Sequence, residues 1–146
     1  MSESGFELGL DDPSRAGIYE TDDATLPALA AAARDAGLLV RQIDLEGCFD
    51  KQTLLLRLAT VLDLPAGMGR NWDSLGDALR DLSWLPAPGY ALLFETASPL
   101  RQMRPQEFDV LVDVLHEAWQ AWTQAGIPFW VFLALDEEEE PASRPH

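Results

Sequence analysis

The sequence is poor in the residues that build covalent or metal-bound frameworks. Its 146 residues include one cysteine, Cys48, and two histidines, His116 and His146. One cysteine excludes an internal disulfide, and this set cannot supply the paired Cys or His ligands of a structural zinc site. A chain of this length buries about two thirds of its unfolded surface on folding, so it needs no such framework. We expect one domain held by a hydrophobic core, with no metal and no cofactor.

Basic residues are also scarce. Lys and Arg number 10 against 25 Asp and Glu, which gives a formal net charge of −15. Such a charge repels nucleic acids and anionic membranes at long range and attracts basic proteins. The sequence has no apolar run near the ~20 residues of a membrane span, and residues 1–10 lack the pattern of a secretory signal. We expect a cytoplasmic protein whose partner is a basic protein, and neither a nucleic acid nor a membrane.

Four short apolar runs predict β-strands, over residues 17–20, 38–44, 90–95 and 129–135. The last two runs are nearly continuous apolar stretches, which is typical of strands covered by helices. The segments between the runs are too long for tight hairpins, so the strands are predicted to be parallel. The sequence therefore predicts an α/β fold in the order βαβααβαβ, with helices on at least one face of a parallel sheet.

Prolines, glycines and capping residues mark the ends of the predicted helices. Pro27 suits the first turn of a helix that stops before Gly37. Asp50 is a candidate N-cap for the next helix. Pro105 opens a longer amphipathic helix that stops at Gly126.

One segment breaks the alternation by placing two helices in succession, joined by a short glycine-rich loop. In that loop Gly67 and Gly69 permit positive φ angles or a close backbone approach, and Asn71 can cap the following helix. Helical spacing on the second helix predicts one apolar face toward the core. Its members are Trp72, Leu75, Leu79 and Leu82.

The same helix carries a row of carboxylates on another face. Asp73, Asp77 and Asp81 are spaced four residues apart, and like charges at this spacing destabilise an isolated helix by about 0.2–0.5 kcal/mol per pair. The helix dipole favours Asp73 in the first turn but not the other two. Two explanations stay open: an ion pair between Asp77 and Arg80, or a partner that uses the row.

These residues resemble the barstar family of intracellular ribonuclease inhibitors. The resemblance implies a barstar-like parallel sheet packed against helices, with three core strands plus one added N-terminal strand. It is carried by a proline, two glycines, an asparagine, spaced leucines and aspartates, and two strands: Leu64, Pro65, Gly69, Asn71, Asp73, Leu75, Asp77, Leu79, residues 90–95, Gly126 and residues 129–135.

The resemblance also suggests how the chain is organised. We expect a single barstar-like domain over residues 1–135. Within it, residues 1–37 form an N-terminal β-α extension and residues 38–135 the barstar-like core. Five adjacent carboxylates predict a disordered acidic tail over residues 136–146.

In that family, the loop and second helix plug the active site of a basic, barnase-like ribonuclease, with carboxylates standing where RNA phosphates would lie. The resemblance implies that Asp77 is the principal phosphate mimic and Asp73 a second acidic contact. It places Gly69 and Asn71 in the loop that approaches the nuclease. The implied partner is a basic ribonuclease or toxin protein. The predicted partner-binding residues are Asp77, Asp73, Gly69, Asn71, Gly67, Gly76, Arg80, Asp81 and Trp84.

The sequence departs from the family pattern at several of these places. Gly67 and Gly76 stand where the family's namesake has aromatic contacts, and Leu82 stands where it has another tryptophan. Trp84, two residues later, is a candidate replacement. On the last helix, Glu117 is a candidate for a further acidic contact, with its register open. The resemblance is therefore stronger for the class of inhibitor than for one particular nuclease.

Enzymatic explanations find little support in the sequence. His116 lies on a predicted helix and His146 in the tail, so neither has a paired nucleophile. Cys48 is more typical of a buried apolar residue than of a reactive thiolate. Asp73 and Asp77, one turn apart on a surface helix, are predicted to point into solvent, which disfavours a paired acid and base. We expect no enzyme; a binding module of the same fold for another basic partner stays open.

Overall fold

Four parallel strands form the centre of the structure, a computed structural model that describes residues 9–135. The strands are β1 (Ile18–Thr21), β2 (Leu39–Asp44), β3 (Tyr90–Glu95) and β4 (Phe129–Ala134). The helices are α1 (Leu26–Asp35), α2 (Lys51–Val61), α3 (Trp72–Asp81), α4 (Ser98–Met103) and α5 (Pro105–Gln124), and a 3₁₀ turn spans Pro13–Arg15. The predicted acidic tail lies outside the described residues.

The strand order is β1-β4-β3-β2, and every neighbouring pair is parallel. All six residues of β4 are buried, as are five of the six in β3. These two central strands are the nearly continuous apolar runs of the sequence, because helices cover both of their faces. The predicted α/β fold with a parallel sheet is confirmed, and so is the added N-terminal strand.

Each face of the sheet has its own hydrophobic core. On one face α2, α3 and α5 pack against the side chains of Leu92, Phe94 and Val131. On the other face the alanines of α1 and the preceding segment pack against Leu93 and Trp130. Helix α3 therefore belongs to the first face, away from α1.

The described part of the N-terminal extension, residues 9–37, is joined to the rest of the sheet by hydrogen bonds. Strand β1 pairs with β4 along its whole length. The indole N–H of Trp130 donates to the Leu10 carbonyl oxygen at 2.8 Å, and that of Trp119 donates to the Ala16 carbonyl oxygen at 2.8 Å. Two tryptophans of the core thus hold the segment that leads into β1.

The predicted element order is wrong at one point, because it omits α4. This helix has six residues, and Ala97 before it offers no side-chain cap. Pro99 lies in its first turn, and Pro105 starts α5 directly after Arg104. So short a segment shows neither a helical period nor a polar N-cap in the sequence. The predicted cap at Asp50 is confirmed, since its carboxylate accepts a hydrogen bond from Thr53 N at 2.7 Å.

Three carboxylates gather near the ends of the strands. Glu95 ends β3 beside Asp44 of β2, and Asp23 accepts a hydrogen bond from Thr96 N at 3.0 Å. Burial raises the pKa of Glu95 above its usual value, and the charges of Asp44 and Asp23 raise it further. The ionised form of Glu95 is therefore disfavoured in the folded protein.

This arrangement predicts a pH-dependent effect of Glu95→Gln. Because the folded-state pKa is raised, wild type loses stability as the pH rises from the unfolded pKa through the folded one. The neutral variant lacks that loss, so it should be more stable than wild type at pH 7 and equal to it near pH ~3.5. Urea unfolding at both pH values measures this. Glu46→Gln, which removes a charge from an exposed neighbour, is the control; an equal gain there would contradict the prediction.

The core predicts a second effect, for two leucine substitutions. Leu79 is fully buried in α3, whereas Leu56 in α2 is 67% exposed. Leu79→Ala should lower the free energy of unfolding by about 2–5 kcal/mol, because it leaves a cavity. Leu56→Ala should change it by less than about 0.5 kcal/mol. Urea unfolding compares them, and similar losses would show that the packing of α3 is described wrongly.

Candidate functional site

Two hydrogen bonds hold the loop between α2 and α3 against the start of α3. The Asn71 side chain accepts a hydrogen bond from Ser74 N at 2.8 Å, and the Ser74 hydroxyl accepts one from Gly69 N at 2.7 Å. The backbone of Asn71 is extended, with φ −145° and ψ 174°, as is usual for an N-cap. The predicted cap is confirmed, and it ties the loop to the first turn of the helix.

Two glycines determine the path of this loop. Gly67 and Gly69 have φ angles of +90° and +82°, which side chains with a Cβ rarely adopt. Gly69 is buried, and a Cβ added there would lie 2.6 Å from Leu64 Cδ1. A Cβ added at Gly67 would meet nothing within 4 Å. The loop is closely packed at Gly69 and open at Gly67.

The buried side of α3 sets the direction in which its other side chains point. Leu75 and Leu79 are fully buried. The indole N–H of Trp122 in α5 donates to the Leu79 carbonyl oxygen at 2.7 Å. These contacts leave α3 little freedom to rotate about its axis, so its opposite side faces solvent.

The predicted row of carboxylates lies on that opposite side. Asp73, Asp77 and Asp81 are all exposed. Asp73 and Asp77 line a cleft between α3 and α5, whereas Asp81 lies outside it. Asp81 instead accepts a hydrogen bond from the Ser83 hydroxyl at 3.1 Å. Two of the three carboxylates of the row therefore share one cleft.

The cleft between α3 and α5 has a volume of about 480 Å³. Trp72, Val110 and Val114 give it apolar walls, and Gly76 adds no side chain to it. Its charged residues are Asp73, Asp77, Arg80, Asp113 and Glu117. Four carboxylates and one guanidinium leave a net charge of −3 on these nine residues, which we call the acidic cleft.

Arg80 binds two of the carboxylates of the acidic cleft. Its Nη2 lies 2.5 Å from Asp77 Oδ1, and its Nη1 lies 3.5 Å from Glu117 Oε1. The ion pair that the spacing of Asp77 and Arg80 allows is thus formed. Within residues 9–135, Asp73 and Asp113 take part in no salt bridge. The acidic cleft is neutralised in part by its own molecule.

Helix α5 contributes two of the four carboxylates. Glu117 lines the acidic cleft and forms an ion pair with Arg80. The sequence leaves open whether this residue or another position on the helix supplies the acidic contact. Asp113, one turn earlier, also lines the cleft and is missed in the sequence analysis. The signal for it is its spacing: it stands four residues before Glu117, on the side of α5 away from Leu111 and Leu115, which are both buried.

The two hydrophobic residues after α3 face the core and do not line the acidic cleft. Leu82 is buried and ends α3 in the left-handed conformation, with φ +48°. Trp84 is half-buried, and its indole N–H donates to the Leu62 carbonyl oxygen at 3.0 Å. Trp84 therefore joins α3 to the end of α2 and lies outside the acidic cleft, and its role as a replacement for the tryptophan missing at Leu82 stays a prediction.

Other chemistries have little basis in the described residues. Cys48 is fully buried, and burial raises the pKa of its thiol, which keeps it protonated at neutral pH. His116 is exposed, with its ring 5.0 Å from that of Trp119. Between residues 9 and 135 no three His, Cys, Asp or Glu side chains are placed to hold a metal ion. No helix in that range is both long and apolar enough to cross a membrane.

The family model described as Barstar (barnase inhibitor) matches residues 38–134 of the chain. This span begins after α1 and contains the loop, α3, α5 and every residue of the acidic cleft. A search of curated proteins gave no match.

The loop geometry predicts different effects of the same substitution at its two glycines. Gly67→Ala should cost about 1 kcal/mol of stability, because the left-handed backbone is strained by a Cβ. Gly69→Ala meets the same strain and in addition displaces Leu64, so it should cost at least about 1 kcal/mol more. Urea unfolding of both variants gives the difference. Equal losses would contradict the close packing at Gly69.

Proposed function

The chain belongs to the barstar family, and on that premise we propose that it inhibits a basic ribonuclease, of the barnase-like or toxin class. In this proposal the inhibitor has no catalytic activity of its own and acts in the cytoplasm. It covers the active site of the nuclease with the loop before α3 and with the acidic cleft.

The observation that carries the proposal is the placement of four carboxylates on two packed helices. Ribonucleases hold the phosphates of RNA with cationic side chains, and carboxylates on a rigid frame can occupy the same positions. A net charge of −3 over one cleft also speeds the encounter with a positively charged active site. The apolar walls of the acidic cleft add surface from which water is excluded on binding.

Five residues of the loop and the acidic cleft have a proposed role in inhibition. Asp77 is the principal phosphate mimic and Asp73 a second acidic contact, both on the exposed side of α3. Asn71 keeps the loop attached to the helix, and the buried Gly69 lets the loop backbone pack closely against Leu64. Glu117 supplies the further acidic contact from α5.

A second candidate function is a binding module for a basic protein that is not a ribonuclease. Gly67 and Gly76 favour it, because these positions lack the aromatic contacts of the family's namesake. Arg80 favours it too, because it places a cation within the acidic cleft. Affinity capture from the native cell, followed by a ribonuclease assay on the bound protein, separates the two functions. Ribonuclease activity that the inhibitor suppresses supports the first; a basic partner without such activity supports the second.

The proposal predicts a ranked effect of three aspartate substitutions on ribonuclease inhibition. Asp77→Ala should weaken inhibition on the order of 100-fold, because it leaves a cation of the nuclease unpaired in the interface. Asp73→Ala should weaken it about tenfold. Asp81 is also among the predicted partner-binding residues, but it lies outside the acidic cleft. Asp81→Ala removes the same charge from the same helix, so it is the comparison variant, and it should change inhibition less than about threefold.

Inhibition constants at low and high salt measure these effects, and the losses at Asp73 and Asp77 should shrink as salt screens the charges. The double variant Asp73→Ala/Asp77→Ala provides the decisive comparison. Unchanged inhibition by this double variant would show that α3 is not the inhibitory surface.

A further inference from the structure

We propose that Arg80 determines the specificity of the acidic cleft by competing, as a cation of the protein itself, with the partner's cations for Asp77. This inference rests on the proposed function, because it concerns how the cleft discriminates among basic proteins. It assigns Arg80 a role opposite to that of the surrounding carboxylates: it weakens the binding of any partner that places an arginine or lysine at the same point.

The position of the guanidinium carries the first step. Arg80 extends from the last turn of α3 and contacts Asp77 at 2.5 Å on its own helix and Glu117 at 3.5 Å on α5. It therefore joins the two walls of the acidic cleft. An arginine from a partner would approach a carboxylate through the same N–H groups and at the same distances.

Gly76 supplies the space that the guanidinium occupies. A Cβ at this position would lie 3.2 Å from Arg80 Nη1 and 3.8 Å from Val114 Cγ1. A larger side chain at position 76 would fill the cleft in front of Val114 and push the guanidinium outward. The guanidinium of Arg80 thus occupies space that a side chain at position 76 would otherwise take.

The three side chains of these two ion pairs differ in exposure. The side chain of Arg80 is 37% exposed, whereas those of Asp77 and Glu117 are 69% and 65% exposed. The side chain of Arg80, taken as a whole, is thus less exposed than those of the two carboxylates it binds. Because Arg80 pairs with both of them, a partner that covers Asp77 and Glu117 also covers this cation.

A cation already paired with Asp77 lowers the affinity of that carboxylate for a second one. Repulsion between like charges grows when the interface excludes water, and Asp77 has one of its two oxygens already engaged by Arg80. A partner with a neutral or acidic group opposite Arg80 avoids this loss. The cleft therefore selects partners by the placement of their charges as well as by their number.

The experiment is a double-mutant cycle between Asp77 and Arg80, with barnase as the probe. If Arg80 competes, Arg80→Ala should tighten barnase binding about fivefold. Asp77→Ala should then cost about fivefold more in the Arg80→Ala background than in wild type. Arg34→Ala is the matched control, because Arg34 is likewise an exposed arginine in the last turn of a helix, on the other face of the sheet. Although it changes the net charge equally, it should alter binding less than about twofold.

The opposite result has a distinct form. If Arg80 only positions Asp77, then Arg80→Ala weakens binding, and Asp77→Ala costs less in its background; either outcome overturns the inference. The same cycle in urea unfolding needs no partner and measures the ion pair itself. A coupling of zero there also overturns the inference. If the unfolding cycle shows a clear coupling but no variant inhibits barnase, the ion pair on which the inference rests is supported. The proposed inhibition is then rejected for barnase, and for no other ribonuclease.

Discussion

The packing of α3 against α5 and the sheet is the constraint on which the site depends. Leu75 and Leu79 enter the core, and Trp122 binds the Leu79 carbonyl from α5. Because the side chains of a helix are fixed in direction relative to one another, burying this side sends Asp73 and Asp77 outward. The acidic cleft is thus a consequence of how the hydrophobic core is packed, and no local feature of the aspartates themselves is required.

The described part of the N-terminal extension adds a strand and a helix to the fold and supplies no residue to the acidic cleft. Strand β1 extends the sheet beside β4, and α1 covers the sheet face opposite α3. Trp130 and Trp119 bind the segment before β1 through their indole N–H groups. The extension lies outside the span that matches the family, yet its strand completes the sheet, and Trp119 binds it to α5, the helix that carries Asp113 and Glu117 of the acidic cleft.

Most of the fold follows from patterns that the sequence displays openly. The continuous apolar runs of β3 and β4 indicate buried parallel strands, and Asn71 indicates the start of α3. Helix α4 gives no such signal, because it has only six residues and no polar N-cap. At the site, the spacing of Asp77 and Arg80 allows an ion pair between them. The sequence cannot decide between that ion pair and a row of unpaired carboxylates. Asp113 lies in the same cleft as Asp73 and Asp77 because of the way α5 packs against α3, and no local sequence pattern specifies that packing.

The central claim is that the acidic cleft takes the place of RNA in the active site of a ribonuclease. Competition between the chain and a mononucleotide bound at the active site of barnase tests it most directly. If both occupy one site, the apparent Kd of the chain should rise in proportion to the mononucleotide concentration once this exceeds its own Kd. A Kd that stays constant at saturating mononucleotide would contradict the account, because the chain would then bind elsewhere.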